Sequence, residues 1–381
     1  MPSDEVVGTD PETGKTIRVT INQGRIAQIQ AIHGASDCYL SPGFVDLQVN
    51  GFAGYDVNAD AVTLETITGM AHELVRQGVT CFVPTVITAS EEKICHALAV
   101  ISKARKQAPE LAHVIPCVHV EGPSISPIDG YRGAHDAAYV RPPSVSEFER
   151  WQKAGDGVVG MVTLSPHYPE TARYIAHLQS RGVHVALGHT HAEREQIQLA
   201  VEAGAGLCTH LGNGLAEMIP RHRNVLWTAL ADDRLSVSVI ADGHHLPQDL
   251  LQVIVKCKGF DRVLLISDAV ALTRAAPGVY QASVGGTVEL RNDGRLCVAG
   301  TELLAGSTTT MAECVTGIMR LTSISLGRAL RMATCQPGEF VGRRGRMEVG
   351  AHADLLRFRM RDEIELQDIW LRGERVYAFA A

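Results

Sequence analysis

No stretch of this chain approaches the ~20 consecutive apolar residues that a membrane-spanning helix requires. The opening Met1-Pro2-Ser3-Asp4-Glu5 has neither the basic nor the apolar region of a signal peptide. No cluster of Lys and Arg is present, and the net charge is −7. That argues against nucleic acid, whose phosphates call for grouped cations. The nine cysteines stand singly and make no Cys-x-x-Cys pair, a pattern that suits free thiols in a reducing cytoplasm. No Gly-x-Gly-x-x-Gly follows an early strand, so nothing favours a dinucleotide fold. Internal repeats and low-complexity segments are absent as well. What remains is a chain of 381 residues, 45% hydrophobic. It is long enough for one large domain, or for one large domain with a small satellite.

The order of elements is informative. Residues 16–21 and 25–32 are short β-branched runs joined by Asn22-Gln23-Gly24, a hairpin signal. From Pro42 the rhythm becomes strand then helix, with apolar strands expected at 44–49, 79–83, 111–120, 158–164, 183–187, 206–208, 235–241 and 262–266. Helical periodicity covers 64–77, 90–107, 145–154, a segment from about 169, and 192–203, with Ser90 placed as an N-cap before Glu91 and Glu92. Eight such strands with intervening helices predict an α/β fold, a (β/α)8 TIM-type barrel rather than an open doubly wound sheet. Residues 278–298 read as turn-rich strands, 308–320 and 326–334 as helices, and 353–358 and 364–379 as strands again. Both ends are therefore β-rich, and the expected division is a small β-sandwich domain from residues 1–41 plus 342–381, with the barrel at 42–341.

The chemistry sits where strands end. Glu121 in His119-Val120-Glu121-Gly122-Pro123, His189 after Gly188 and His210 after Thr209 each close an apolar run, and Asp268 follows Leu264-Leu265-Ile266-Ser267. Strand tips of a closed barrel share one face, so these side chains should converge there. A carboxylate and two imidazoles suit a divalent cation with an open position, and Asp268 suits proton transfer. Each residue alone has a plainer reading: a rim ion pair for Glu121, a hydrogen-bonded structural role for either His, a helix N-cap for Asp268. Three ligand-type residues at three tips of one barrel favour the metal reading. His135 lies in the long loop after the third strand, where substrate contacts gather. Arg221 and His245 are candidates for an anionic or hydroxyl-rich substrate, or else surface residues. His184 and His191 read as structural, and Met311, Met319 and Met332 as core packing.

Six segments occur in order: 42–51 (Pro-Gly-Phe-Val-Asp-Leu-Gln-Val-Asn-Gly), 119–123, 188–190 (Gly-His-Thr), 209–213 (Thr-His-Leu-Gly-Asn), 241–245 (Ala-Asp-Gly-His-His) and 267–269 (Ser-Asp-Ala). Together they resemble the N-acetylglucosamine-6-phosphate deacetylase family of the amidohydrolase superfamily. The resemblance runs from about residue 41 to 350. It implies hydrolysis of the N-acetyl group of an amino sugar 6-phosphate, with one divalent metal ion per subunit (Zn, with Fe, Co or Mn as alternatives). By motif, Glu121, His189 and His210 match metal ligands and Asp268 the acid/base. His135, beside Ala134, matches a contact to the substrate carbonyl. Asn213, Gly214 and Arg221 match phosphate positions, His245 a further substrate contact, and Ala305-Gly306-Ser307 a substrate-lining turn. The resemblance also implies a homodimer, in which the Arg can come from the partner subunit.

Two departures stand out. Gln48 and Asn50 occupy the first-strand places where many superfamily members carry His-x-His for a second metal, and amides coordinate poorly, so a single ion is expected. The loop Asn213-Gly214-Leu215 and the run Arg221-His222-Arg223-Asn224 differ from the family-typical sequence. A deacetylase for another N-acetyl amino sugar, galactosamine-type or unphosphorylated, is the alternative. A cyclic-amide hydrolase would want a bridging Lys on the fourth strand, and 157–166 contains none. A silent sugar-binding barrel is the non-enzyme alternative.

Overall fold

The computed structural model describes residues 4–379; residues 1–3 and 380–381, the outer ends of the two β-rich segments, lie outside the described residues. Eight parallel strands follow one another in sheet order: β1 Phe44–Val49, β2 Val79–Ile87, β3 Val118–Glu121, β4 Val159–Leu164, β5 His184–Leu187, β6 Leu207–Cys208, β7 Ser236–Val239 and β8 Val263–Leu265. The segment after β8 closes the barrel against β1. Asn50 N donates to Ala269 O (2.8 Å), and Asp268 N donates to Gln48 O (3.1 Å). The α/β class and the barrel expected from the strand–helix rhythm are what the chain adopts.

A strand inside such a barrel is covered on both faces, which is why β1 and β2 are buried along their whole length. Val45, Leu47, Val83, Met161, Leu207 and Leu264 fill the interior, with Val341 closing its floor. The helices bury stripes at helical spacing: Ile67, Met70, Ala71, Leu74 and Val75 of Leu64–Arg76 face the sheet. Ser90 caps Glu91–Gln107 by accepting from Lys93 N, as its position before two glutamates suggested.

One segment corrects the sequence reading. Residues 111–120 are not a continuous strand: Pro109–Val114 is a short helix, and β3 begins only at Val118. Pro109 at the first helical position and Glu110 beside it are helix-start signals that the apolar content of the run outweighed. Helices Val225–Ala231 and Gln248–Lys258 had no individual prediction.

Two additions complete the chain. Strands Gly278–Ala282, Gly286–Leu290 and Leu296–Val298 form an antiparallel insert between β8 and the helix Met311–Thr322. Four N-terminal strands (Asp4–Thr9, Thr16–Asn22, Arg25–Ala31, Tyr39–Pro42) and three C-terminal ones (Leu355–Met360, Ile364–Leu371, Glu374–Ala378) make one seven-stranded sheet. It folds over on itself as a β-sandwich, enclosing Val19, Ile21, Ile26, Leu40, Leu355 and Trp370. A buried cluster clasps it to the barrel. Arg344 donates to Asp354 Oδ2 (2.7 Å) and to His113 O (2.9 Å), and His113 Nε2 lies 2.9 Å from Asp354 Oδ1. Burial pushes the Asp354 carboxyl upward, but His113 and Arg344 hold it below its ordinary pKa.

Candidate active site

The mouth of the barrel collects the four chemistry-bearing tips. β3 ends on Glu121, and Gly122 turns the chain at φ 79°, where an added Cβ would lie 2.1 Å from Thr88 Oγ1. His189, His210 and Asp268 also have positive φ, 47°, 31° and 51°. Non-glycine residues in this region cost of order 1–3 kcal/mol each and persist where surrounding structure imposes them. The impositions are visible here. Ser126 N donates to His189 O (2.8 Å), His210 N donates to Ser238 Oγ (2.8 Å), and Ser307 N donates to Asp268 O (3.0 Å).

The result is convergence. Glu121 Oε1 lies 3.0 Å from His210 Nε2 and 3.6 Å from His189 Nε2, and one ligand atom from each of the three falls within 4.8 Å of the others. Ligands ~2.1 Å from a tetrahedral ion sit roughly 3.4 Å apart, so the spacing fits a divalent cation. The donor set fits too. His189 Nδ1 is 3.1 Å from Tyr131 O, a partner that only accepts, so the proton sits on Nδ1 and the Nε2 lone pair faces Glu121. All three side chains are buried. Burial raises the Glu121 carboxyl, yet His189 and His210 beside it hold it well below its usual range. Asp268 shifts the other way, raised by burial and by the Glu121 charge.

Gln48 and Asn50 contact these carboxylates directly. Gln48 Nε2 donates to both Glu121 oxygens (3.1 and 3.2 Å) and to Asp268 Oδ1 (3.0 Å). Thr209 Oγ1 donates to Gln48 Oε1 (2.5 Å), which fixes the orientation of that amide. Asn50 Nδ2 donates to Asp268 Oδ1 at 2.7 Å. The sequence showed these two as missing metal ligands; their part in tying the two carboxylates together was not legible there.

A cavity of about 380 Å³ opens above the cluster, within the usual range for small-molecule sites. Ala134, His135, Asn213, Gly214, His245 and Gly306 line it with Glu121, His189, His210 and Asp268. His135 Nδ1 is 2.9 Å from Thr88 Oγ1 and its Nε2 is 3.3 Å from His189 Nε2; burial pushes its pKa down to about 3, so the ring is neutral. Asp242 Oδ2 accepts from His245 Nδ1 (2.7 Å), which fixes the orientation of the ring. Ala305 and Ser307 do not reach the cavity. Ala305 is fully buried, and Ser307 Oγ donates to Ser267 O (2.5 Å). Arg221 lies on an exposed loop outside the lining of its own cavity, where its carbonyl accepts from Trp227 Nε1. His191 pairs with Ser126 Oγ (2.7 Å), and His184 meets Phe340 edge-on at the far end of the barrel. Among the lining residues unforeseen from sequence are Val284, Leu303 and Leu304 of the insert, and Glu217 and Glu302.

Gly214 makes close loop approach possible: it has φ 62°, and an added Cβ would stand 2.7 Å from His189 Nδ1. Gly214→Ala should therefore displace the His189 ring and weaken divalent-ion binding by about tenfold, a ~1.4 kcal/mol effect. Titrating metal into the apo variant measures it, and an unchanged Kd would show that the loop yields instead.

The Amidohydrolase family pattern matches residues 39–376. The chain belongs to the amidohydrolase family. Sequence relatives of this amidohydrolase include the N-acetylglucosamine-6-phosphate deacetylase of Vibrio furnissii, 31% identical over 341 residues that cover 89% of this chain and 83% of the relative. The N-acetylgalactosamine-6-phosphate deacetylase of Escherichia coli O157:H7 is 28% identical over 338 residues, 88% of this chain and 87% of the relative. Among solved structures, a mutant N-acetyl-D-glucosamine-6-phosphate deacetylase from Mycobacterium smegmatis, in complex with N-acetyl-D-glucosamine-6-phosphate, superposes with a TM-score of 0.88 at 27% identity, covering 99% of this chain and 100% of that one. Like other amidohydrolases, this one presents a candidate divalent-metal site, at Glu121, His189 and His210.

Proposed function

We propose that this amidohydrolase is a metal-dependent deacetylase of an amino sugar 6-phosphate, converting N-acetylglucosamine-6-phosphate and water to glucosamine-6-phosphate and acetate. The observation that carries this reading is the meeting of Glu121, His189 and His210 beside Asp268 at the floor of a sugar-sized cavity. The named relatives supply the substrate class.

Glu121, His189 and His210 would hold one divalent ion, which, when bound, supplies Lewis acidity that polarises the acetyl carbonyl and makes water easier to deprotonate. Zn²⁺ best suits a carboxylate with two imidazoles, and Fe²⁺, Co²⁺ or Mn²⁺ also fit. Asp268 takes the proton that the attacking water gives up and passes it to the nitrogen as the C–N bond breaks. Without that proton the leaving group would be an amide anion. In the tautomer protonated on Nε2, neutral His135, its Nδ1 2.9 Å from Thr88 Oγ1, donates to the carbonyl oxygen as negative charge grows there. His245, oriented by Asp242, accepts from a sugar hydroxyl.

Phosphate calls for a cation, and the cavity lining contains no Lys or Arg among the described residues. Arg221 stands exposed next to Met218 (91% exposed) and Trp227 (50%). These features support a homodimer in which Arg221 enters the partner's cavity and binds phosphate through paired hydrogen bonds. On this reading the 6-phosphate should exceed the free sugar in kcat/KM. Arg221→Ala should lower kcat/KM for the phosphate by roughly tenfold to a hundredfold while sparing the free sugar. Comparing N-acetylglucosamine, N-acetylgalactosamine and their 6-phosphates on both proteins checks this and settles the epimer. Equal rates with and without phosphate would remove the phosphate assignment and leave the deacetylase chemistry standing. Turnover confined to cyclic amides such as dihydroorotate would overturn the reading. The nine free cysteines support a cytoplasmic setting, and no described helix is long and apolar enough to cross a membrane.

A further inference from the structure

The geometry assigns to Asn50 a contact with the substrate: its Oδ1 accepts a hydrogen bond from the N–H of the scissile amide, and so selects an acylated amine over an acylated alcohol. This assignment rests on the deacetylase reading and deepens it. Asn50 sits just beyond β1, is 3% exposed, and lines the cavity beside Asp268. Its Nδ2 donates to Asp268 Oδ1 (2.7 Å), and its own Oδ1 meets no donor among the described residues. The orientation of the amide follows from chemistry, because an ionised carboxylate only accepts and therefore draws the NH2 side.

A buried amide oxygen without a donor is costly, and such groups ordinarily have a partner. Oδ1 is closed off from water, but Asn50 is part of the cavity wall, so a small turn of its amide presents the acceptor to a bound molecule. Asp268 Oδ1 already accepts from Gln48 and Asn50, so a proton in transit is carried by Oδ2. The nitrogen that receives it must approach Oδ2, which brings it alongside Asn50. An amide nitrogen arrives with one hydrogen, which Asn50 Oδ1 accepts. After the C–N bond breaks and Asp268 has given up its proton, the amine keeps a hydrogen for the same acceptor. An ester oxygen has no hydrogen to offer and would set a lone pair against Oδ1.

Turnover alone would mix this contact with the aiming of Asp268, so binding is measured where Asp268 no longer acts. The metal-loaded Asp268→Asn protein and the Asp268→Asn/Asn50→Ala double variant are titrated calorimetrically with N-acetylglucosamine-6-phosphate and with its analogue bearing an acetoxy group in place of acetamido. Asp268→Asn should prefer the amide by about tenfold or more, the worth of one buried hydrogen bond. The double variant should bind the two within about twofold of each other, at unchanged metal content. The same preference in both proteins would overturn the assignment. Wild-type protein that cleaves no N-acetyl amino sugar would remove the functional reading and this contact with it. Cleavage with an unchanged preference would remove the contact alone.

Discussion

Asp268→Asn should cut turnover of the N-acetyl sugar phosphate by about 10²–10⁴-fold, the usual worth of a positioned acid/base. The substitution is nearly isosteric, and the new amide oxygen still accepts from Gln48 Nε2 and Asn50 Nδ2, now 3.0 and 2.7 Å from Asp268 Oδ1. The backbone bonds that hold position 268 at positive φ, to Gln48 O and from Ser307 N, do not involve the side chain. Fold and metal content should therefore stay at wild-type levels. What disappears is a group able to take a proton from water and deliver it to nitrogen. The fall should appear in kcat with KM changed little, because the lost interaction belongs to the transition state. Steady-state kinetics beside metal analysis and a melting curve decide it. Near-normal kcat would take the proton-transfer role away from Asp268.

The barrel was legible because its signal is repeated. Eight apolar runs alternate with amphipathic helices, and an error in one run leaves the rhythm intact. Residues 111–120 show the limit: apolar periodicity cannot separate a short helix plus a short strand from one long strand, and Pro109 with Glu110 was the cue to the break. The Glu121, His189 and His210 cluster was legible because parallel strands of a barrel share a direction, so a residue's place at the end of its strand fixes its place in space. Contacts between elements far apart in sequence carry no such mark. Gln48 bridging Glu121 and Asp268, and Thr209 orienting Gln48, depend on how β1, β3 and β6 curve around one axis. The insert wall with Leu303 and Leu304 was equally hidden, since turn-rich strands after β8 give no hint of which way they fold. Arg221 is a different case. It lies outside the lining of its own chain's cavity, which a position in the sequence does not reveal.

Stripping the divalent ion should abolish measurable turnover and lower Tm. Glu121 is buried, and its carboxylate is met by His189 and His210 and by the amide of Gln48. A cation that binds the folded chain and not the unfolded one stabilises by about 2.7 kcal/mol when present at a hundredfold excess over Kd. For a chain of this size that is a rise of several degrees in Tm. Dialysis against a chelator, then readdition of Zn²⁺, Fe²⁺, Co²⁺ or Mn²⁺ with activity and Tm followed together, should restore both in parallel and rank the ions. Titration should saturate at one ion per chain, because Gln48 and Asn50 offer amides where a second ion would want imidazoles. Glu121→Gln should fail to recover on readdition even though its shape is kept, since a neutral amide is a poor ligand beside two histidines. Full turnover after chelation, with metal analysis showing only traces, would sink the metal-dependent mechanism. Restoration by two ions per chain would sink the single-ion site and return Gln48 and Asn50 to the list of ligands.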